Sequence, residues 1–184
     1  PTADPVIISE STRRALSIEA LVPAEVDSFP WGGHLGLQMR DLLLERLDPE
    51  TSTLIFTNTR NQAERWFTAL SEAAPHMDGR IGLHHGSIQQ DLRGEVEERL
   101  RDGRIRWVVA TSSLDLGIDF RPVDQVVQIG SAKSLARLLQ RAGRSGHRPG
   151  AVSRILLVPT HALELLGMLA LQRAVSRSEL EPRQ

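Results

Sequence analysis

What this chain can become is limited first by a unit that recurs along it. A short apolar run is followed by a small polar or glycine step, which in most copies opens a segment of helical spacing. Thr53–Phe56 (TLIF) gives way to Thr57-Asn58-Thr59-Arg60 and a helical stretch to about Ala74. Ile81–His84 leads through Gly86-Ser87 to a helix over about 89–101, and Arg106–Ala110 leads to Thr111-Ser112-Ser113. Gln125–Ile129 passes through Gly130-Ser131 into a helix from about Leu135, and Val152–Val158 through Pro159-Thr160 into a last helix from about Ala162. Before the first unit, Ala15–Val22 reads as a further strand, and Leu35–Leu47 carries apolar residues at helical spacing. Strands alternating with helices predict an α/β fold with a mainly parallel sheet covered on both faces. Ligands of such sheets bind at the carboxyl ends of the strands. Helix N-termini there offer free N–H groups to phosphate. Each polar step alone is an ordinary N-cap, but four along one edge predict a phosphate-tracking surface.

Composition narrows the partners. A net charge of -1 excludes a protein that coats nucleic acid by bulk charge, though not one with a local basic patch. Lys133 is the only lysine. Arginine grips phosphate better, and the same excess follows from genomic base composition, so the bias by itself does not decide. There is no cysteine, hence no disulfide framework or Cys-based metal site. The chain has no apolar run of the roughly 18 residues a membrane span needs. Nor does its start resemble a signal peptide, so a cytoplasmic setting is expected. The chain opens on Pro1 rather than Met and reads as part of something larger.

Four stretches carry chemistry. Gln140-Arg141-Ala142-Gly143-Arg144-Ser145-Gly146-His147-Arg148 concentrates guanidinium groups on a glycine-bearing turn. Arginine so placed can stabilise the charge of a transferring phosphoryl group. Ala110-Thr111-Ser112-Ser113-Leu114-Asp115-Leu116-Gly117-Ile118-Asp119 follows a strand with hydroxyls suited to phosphate and ends on a carboxylate suited to a ribose hydroxyl. Asp115, between them, reads either as part of this chemistry or as a residue that only faces solvent. Thr57-Asn58-Thr59-Arg60 reads either as a phosphate grip at a helix N-terminus or as a plain strand-to-helix turn. In His84-His85-Gly86-Ser87, adjacent strand residues point to opposite faces and no ligand set stands at useful spacing, so a metal site is not expected. Ser87 is expected to cap the next helix. Trp66 and Phe67 are expected in the core, and Trp31 is expected to be packed. No Ser-His-Asp or nucleophile-elbow pattern is present. A dinucleotide fold would need a glycine fingerprint after its first strand, which the sequence lacks.

The arginine turn resembles motif VI of superfamily-2 helicases, the Thr111 stretch motif V, and the Thr57 stretch motif IV. His147 stands where the family's last arginine is found, so the second finger is His147 or Arg148. HHGS, VVATSSLDLGIDF and VVQIGS…ARLLQRAGRSGHRPG together resemble the Lhr (large helicase-related) family, over about 21–182. The tail from Ala151 looks like its ligase-associated DEXH-box branch, which is bacterial. The resemblance implies a RecA-like three-layer α/β/α domain, the second lobe of an ATP-dependent DNA helicase. It implies 3′-to-5′ translocation on single-stranded DNA, or on an RNA–DNA hybrid, in DNA repair. Arg144 and Arg141 are then catalytic. Gly117, Asp119, Gln140, Arg141, Arg144, His147 and Arg148 face the nucleotide. Thr57, Asn58, Thr59, Arg60, Gly86, Ser87, Thr111 and Ser112 face nucleic acid. No phosphate loop and no DExH box occur in the sequence. ATP and Mg2+ are therefore implied only for an intact enzyme, held mainly by a first lobe of the same polypeptide. Residues 1–30 are expected to be a linker and edge strand, 31–160 the lobe, and 161–184 a helix leading to C-terminal domains. An ATP-dependent DNA ligase and a nuclease are implied partners. A non-catalytic nucleic-acid-binding module on the same fold is the competing reading. An arginine turn lying away from the carboxyl ends of the strands and pointing at bulk water would overturn the helicase reading.

Overall fold

A computed structural model of the protein describes residues 16–23, 25, 29–31, 36–115, 123–145 and 152–176. The apolar runs form six described strands: β1 (Leu16–Ala20), β2 (Thr53–Phe56), β3 (Ile81–His84), β4 (Trp107–Ala110), β5 (Gln125–Ile129) and β6 (Ser153–Val158). Every described pairing is parallel, and the order across the sheet is β1-β6-β5-β2-β4-β3. A parallel sheet brings all its carboxyl ends to one edge, so the polar steps after the strands line that edge together. β2, β4 and β3, whose following residues carry three of the four candidate stretches, are immediate neighbours.

Period-two alternation splits each strand between two cores. Ile55, Val109, Val127 and Ile129 pack against Leu43, Leu47, Ala63, Trp66 and Leu70. These come from α1 (Arg40–Leu44) with the turn after it, and from α2 (Arg60–Ala73). On the other face Leu54, Phe56, Val108 and Val126 meet Leu100 of α3 (Gln90–Arg101). Ile155 and Leu157 meet Leu138 of α4 (Leu135–Ala142) and Met168 of α5 (Ala162–Ser176). Trp66 and Trp107 are both buried, and each such side chain contributes on the order of 2–3 kcal/mol of transfer free energy. The Trp107 indole N–H donates to the Asp48 carbonyl at 3.2 Å, which offsets the cost of burying a donor. α5 packs beside the edge strand β1, where Gln172 Oε1 accepts from the Ala20 N–H at 2.9 Å. An otherwise unpaired strand edge is thereby partly satisfied.

Two expectations are corrected here. The helix expected over 35–47 is broken: a 3-10 turn (Leu37–Met39) precedes the five-residue α1, and Gly36 before it has φ 76. Met39, Leu43 and Leu47 are nevertheless buried, so the periodicity marked the core face without fixing the backbone. Trp31, expected to be packed, is 74% exposed, whereas Phe29 is buried. The Pro30 carbonyl between them accepts from Ala162 N at 2.8 Å. That bond pins a bend across which only one of the two rings reaches the core.

Candidate functional site

The described residues place the site at a corner, where the carboxyl edge of the sheet meets the face covered by α4. Along the edge, the step after β2 is tied down locally. Thr57 is buried, its N–H donating to the Ala110 carbonyl at 2.8 Å. Its hydroxyl lies within reach of the Thr59 and Ala110 carbonyls. Thr59 caps α2, its hydroxyl accepting from Gln62 N at 3.1 Å. Asn58 Nδ2 donates to the Ser131 carbonyl at 2.9 Å, joining this step to the loop after β5. Arg60 is exposed, and its Nη1 donates to Ser87 Oγ at 3.1 Å. Gly86, Ser87 and Ser112 are exposed and Thr111 is half-buried. The edge thus offers one guanidinium, hydroxyls and glycine backbone in neighbouring positions.

Ser87 does not cap α3. That helix begins at Gln90 with Gln89 in the cap position and no side-chain cap bond. A capping oxygen must stand directly before the first helical residue to reach the free N–H groups. Ser87 is too early, and its hydroxyl serves Arg60 instead.

Behind the edge, the turn after β4 (Ser112–Leu114) is held from below by His84, which is buried. Its Nδ1 is 2.8 Å from Ser113 Oγ and its Nε2 is 2.9 Å from Glu97 Oε1. Burial pushes the imidazole below its ordinary value of 6.5, against the opposing pull of Glu97. A neutral ring then donates from Nε2 to the carboxylate and accepts the Ser113 hydroxyl at Nδ1. His85 faces Glu64, 3.3 Å away, so the adjacent histidines find separate partners. No group of three or more His, Cys, Asp or Glu among the described residues is arranged to hold a metal ion.

At the other end of the same turn stands Asp115, and here the solvent-facing alternative is excluded. Asp115 is buried. Its Oδ1 accepts from Arg141 Nε at 2.7 Å and its Oδ2 from Arg141 Nη2 at 3.0 Å. Arg141, also buried, donates from Nη1 to Gln128 Oε1. Its guanidinium carbon lies 4.3 Å from the centre of the Phe56 ring. Gln128 turns its amide N–H groups to the Ile129 and Gly130 carbonyls at 3.0 and 3.2 Å. Arg144 is half-buried and donates from Nη2 to the Asp115 main-chain carbonyl at 2.8 Å. A charge this deep is tolerable only when paired and hydrogen-bonded, and this cluster supplies both conditions.

The main chain of the arginine turn does not lie at the carboxyl edge. The Arg144 carbonyl accepts from Val123 N at 3.0 Å, and Ser145 bridges to Val123, which precedes β5. The Ser145 carbonyl accepts from Ser153, the first residue of β6. The turn therefore sits by the amino ends of β5 and β6. Its side chains return toward the other end: α4 runs back along the sheet, and helical side chains lean toward their helix N-terminus. Arg141 thereby reaches Phe56 and Gln128 near the carboxyl ends of β2 and β5. Gln140, the preceding residue, is exposed. Gly117, Asp119, His147 and Arg148 lie outside the described residues.

Asp115, Gln128, Glu97 and Ser113 make bonds within the site, although the sequence assigned none of them a role there. Gln128 left a signal, because a polar residue inside an apolar strand run has to find a partner. The acids did not, since their partners are 26 and 13 positions away.

A parallel sheet with hydroxyl- and glycine-bearing strand ends, flanked by an arginine turn anchored to the segment after β4, defines a RecA-like lobe of the helicase type. The chain belongs to the family described as "Helicase conserved C-terminal domain", whose profile matches residues 38–149. Its relatives are Lhr-type helicases of archaea and bacteria. It is 50% identical over 115 residues to ATP-dependent helicase Lhr-Core protein 2 of Thermococcus barophilus, covering 62% of this chain and 13% of that protein. The Mycobacterium smegmatis helicase Lhr, solved bound to ssDNA and AMP-PNP, is 31% identical. It superposes with a TM-score of 0.78 over 93% of this chain and 23% of that one. The C-terminal domain of the DEAD-box protein Dbp5, 19% identical, shares the fold with a TM-score of 0.62, covering 91% of this chain and 87% of that domain. The chain thus spans less than a quarter of either Lhr protein. Among the described residues no helix is long and apolar enough to cross a membrane.

Proposed function

We infer that the chain is the second motor lobe of an ATP-dependent superfamily-2 DNA helicase. The reading rests above all on Arg144, whose guanidinium is held against Asp115, three residues beyond the exposed Ser112. One short segment thereby touches both the edge suited to a nucleic-acid backbone and the arginine suited to a phosphoryl group. In the working enzyme, ATP and Mg2+ are held mainly by a first RecA-like lobe of the same polypeptide. Arg144 reaches in from this lobe as the finger that stabilises charge on the γ-phosphoryl group. Arg141 lines the same pocket, closing its floor through the bonds it makes to Asp115 and Gln128. Gly117, Asp119, Gln140 and one of His147 or Arg148 complete the nucleotide side.

On the other side, Arg60, Ser87, Thr111, Ser112 and the main chain of 57–59 and Gly86 take the phosphates of one strand. Backbone contacts of this kind read little sequence. Closure around ATP and release after hydrolysis would move that edge along single-stranded DNA, in the 3′-to-5′ direction. The role is cytoplasmic DNA repair in a bacterium, within the ligase-associated branch and beside an ATP-dependent ligase and a nuclease. C-terminal domains of the same polypeptide follow residues 161–184.

The test is Arg144→Ala in the longer polypeptide. Nucleic-acid-dependent ATPase should fall by about 10^3-fold or more, the scale of a lost arginine finger, while single-stranded DNA binding is largely retained. Unchanged turnover would instead make this lobe a non-catalytic binding module. Running the same assay on RNA and on an RNA–DNA hybrid decides the loading strand. In binding titrations against salt, Arg60→Ala should reduce the slope by about 0.7, one phosphate contact on a single strand.

A further inference from the structure

Asp115 touches neither nucleotide nor nucleic acid in the function just proposed, yet both arginines assigned to the nucleotide bond to it. Its carboxylate takes two donors from Arg141, and its carbonyl takes one from Arg144. Arg137 adds a third guanidinium 3.7 Å from Oδ2. The side chains of Arg141 and Asp115 are 3% and 7% exposed. A pair so dry gains little net stability over apolar residues of the same shape. What a bidentate fork does supply is orientation, since two parallel bonds fix a planar guanidinium against a planar carboxylate. The fork is braced at its far side by Gln128, whose amide is itself fixed by two main-chain carbonyls. Asp115 also closes the turn that begins at Ser112, its N–H donating to the Ser112 carbonyl at 3.0 Å. The other end of that turn rests on His84 through Ser113.

We propose that Asp115 is the positioning residue of this lobe: held by Arg141, it sets the main-chain carbonyl on which Arg144 rests. It thereby fixes the finger relative to the Thr111–Ser112 edge. A shift of that edge on gripping a backbone phosphate is carried through one helical turn to Arg144. The proposal rests on the reading of Arg144 as the finger.

The experiment uses the longer polypeptide and measures ATPase, single-stranded DNA affinity and DNA-binding stoichiometry for Asp115→Asn, Asp115→Glu, Arg144→Ala and Asp115→Asn with Arg144→Ala. Asp115→Asn should lower kcat by about tenfold or more, with KM for ATP and DNA affinity within about twofold of wild type. Normal binding stoichiometry then shows that the protein is folded. The double variant should be no slower than Arg144→Ala alone, because the two act as one unit. Asp115→Glu keeps the carboxylate and should retain more turnover than Asp115→Asn, although Asn matches the native volume. A role in packing alone reverses that order, or lowers stoichiometry in step with kcat, and either result overturns the proposal. So does wild-type turnover in Asp115→Asn where Arg144→Ala is dead; that outcome leaves the function standing. If Arg144→Ala turns over normally, the function reading itself fails and this inference falls with it.

Discussion

Replacing Arg141 with Ala should destabilise the fold by about 3–5 kcal/mol, the scale of a buried pair stripped of one partner. The side chains of Arg141 and Asp115 are 3% and 7% exposed, so water cannot replace the lost guanidinium. Among the described residues, the Asp115 carboxylate would keep only Arg137, at 3.7 Å and 42% exposed. Gln128 Oε1, also buried, would lose its donor, and an orphaned acceptor costs about 1–3 kcal/mol by itself. These terms share one network and do not add, so the pair's own range is the estimate. Urea unfolding followed by circular dichroism reads it: at a slope of about 2 kcal/mol per molar, the midpoint should fall by about 2 M. Arg80→Ala is the control. Its partner Glu50 is 71% exposed, and the loss should stay under about 1 kcal/mol. Arg141→Met with Asp115→Leu should recover most of the stability, because no charge is left stranded. A loss below about 1 kcal/mol for Arg141→Ala would refute the reasoning, by showing that solvent or a new partner reaches Asp115 easily.

Other outcomes follow from the same structure. His84 has a folded-state pKa below its ordinary 6.5 because burial disfavours the imidazolium. The unfolded chain therefore takes the proton first. Stability is full above about pH 6.5 and is lost as pH falls through that value toward the folded one. The wild-type urea midpoint should drop between about pH 6.5 and 5 more steeply than that of His84→Gln; equal slopes would contradict the account. Gly130→Ala forces a side chain into φ 73, with its Cβ 3.0 Å from Asn58 Nδ2. It should cost about 1–2 kcal/mol and lower the thermal midpoint by about 2–8 °C; an unchanged midpoint would show that the loop relaxes. Thr59→Ala removes the α2 cap and should cost about 1 kcal/mol in the same denaturation assay, with Thr59→Ser restoring it.

Much of the architecture was legible because the signals were local. β2, β3 and β5 fall on the residues their apolar runs marked, since short runs bounded by polar steps leave a strand little freedom. Parallel pairing followed from the connections between the strands, which are long enough for crossovers. The helix over 35–47 was less legible, because Gly36 is left-handed and diverts the chain before the periodicity can act. Trp31 and Phe29 have similar local context, yet on either side of the Pro30–Ala162 bond Phe29 is buried and Trp31 is exposed. Hydroxyls after strands could be read as cap or phosphate grip; in the structure Thr59 caps α2, whereas Ser87 bonds to Arg60. The arginine turn could be found by composition, but its placement by the amino ends of β5 and β6 could not. That placement depends on how far α4 runs back along the sheet. Asp115 stayed open for a related reason: a carboxylate near a helical segment resembles a surface residue until Arg141 arrives from 26 positions away.

The account stands on Arg144 meeting nucleotide phosphate across a pocket built largely by other residues of a longer polypeptide. The direct measurement is a structure of that polypeptide with single-stranded DNA and a non-hydrolysable ATP analogue. The account predicts an Arg144 guanidinium nitrogen about 2.7–2.9 Å from a γ-phosphate oxygen, the length of a charge-assisted bond, with Arg141 still seated on Asp115. A closed complex in which another residue contacts that phosphate, and Arg144 touches only its own lobe, would contradict it.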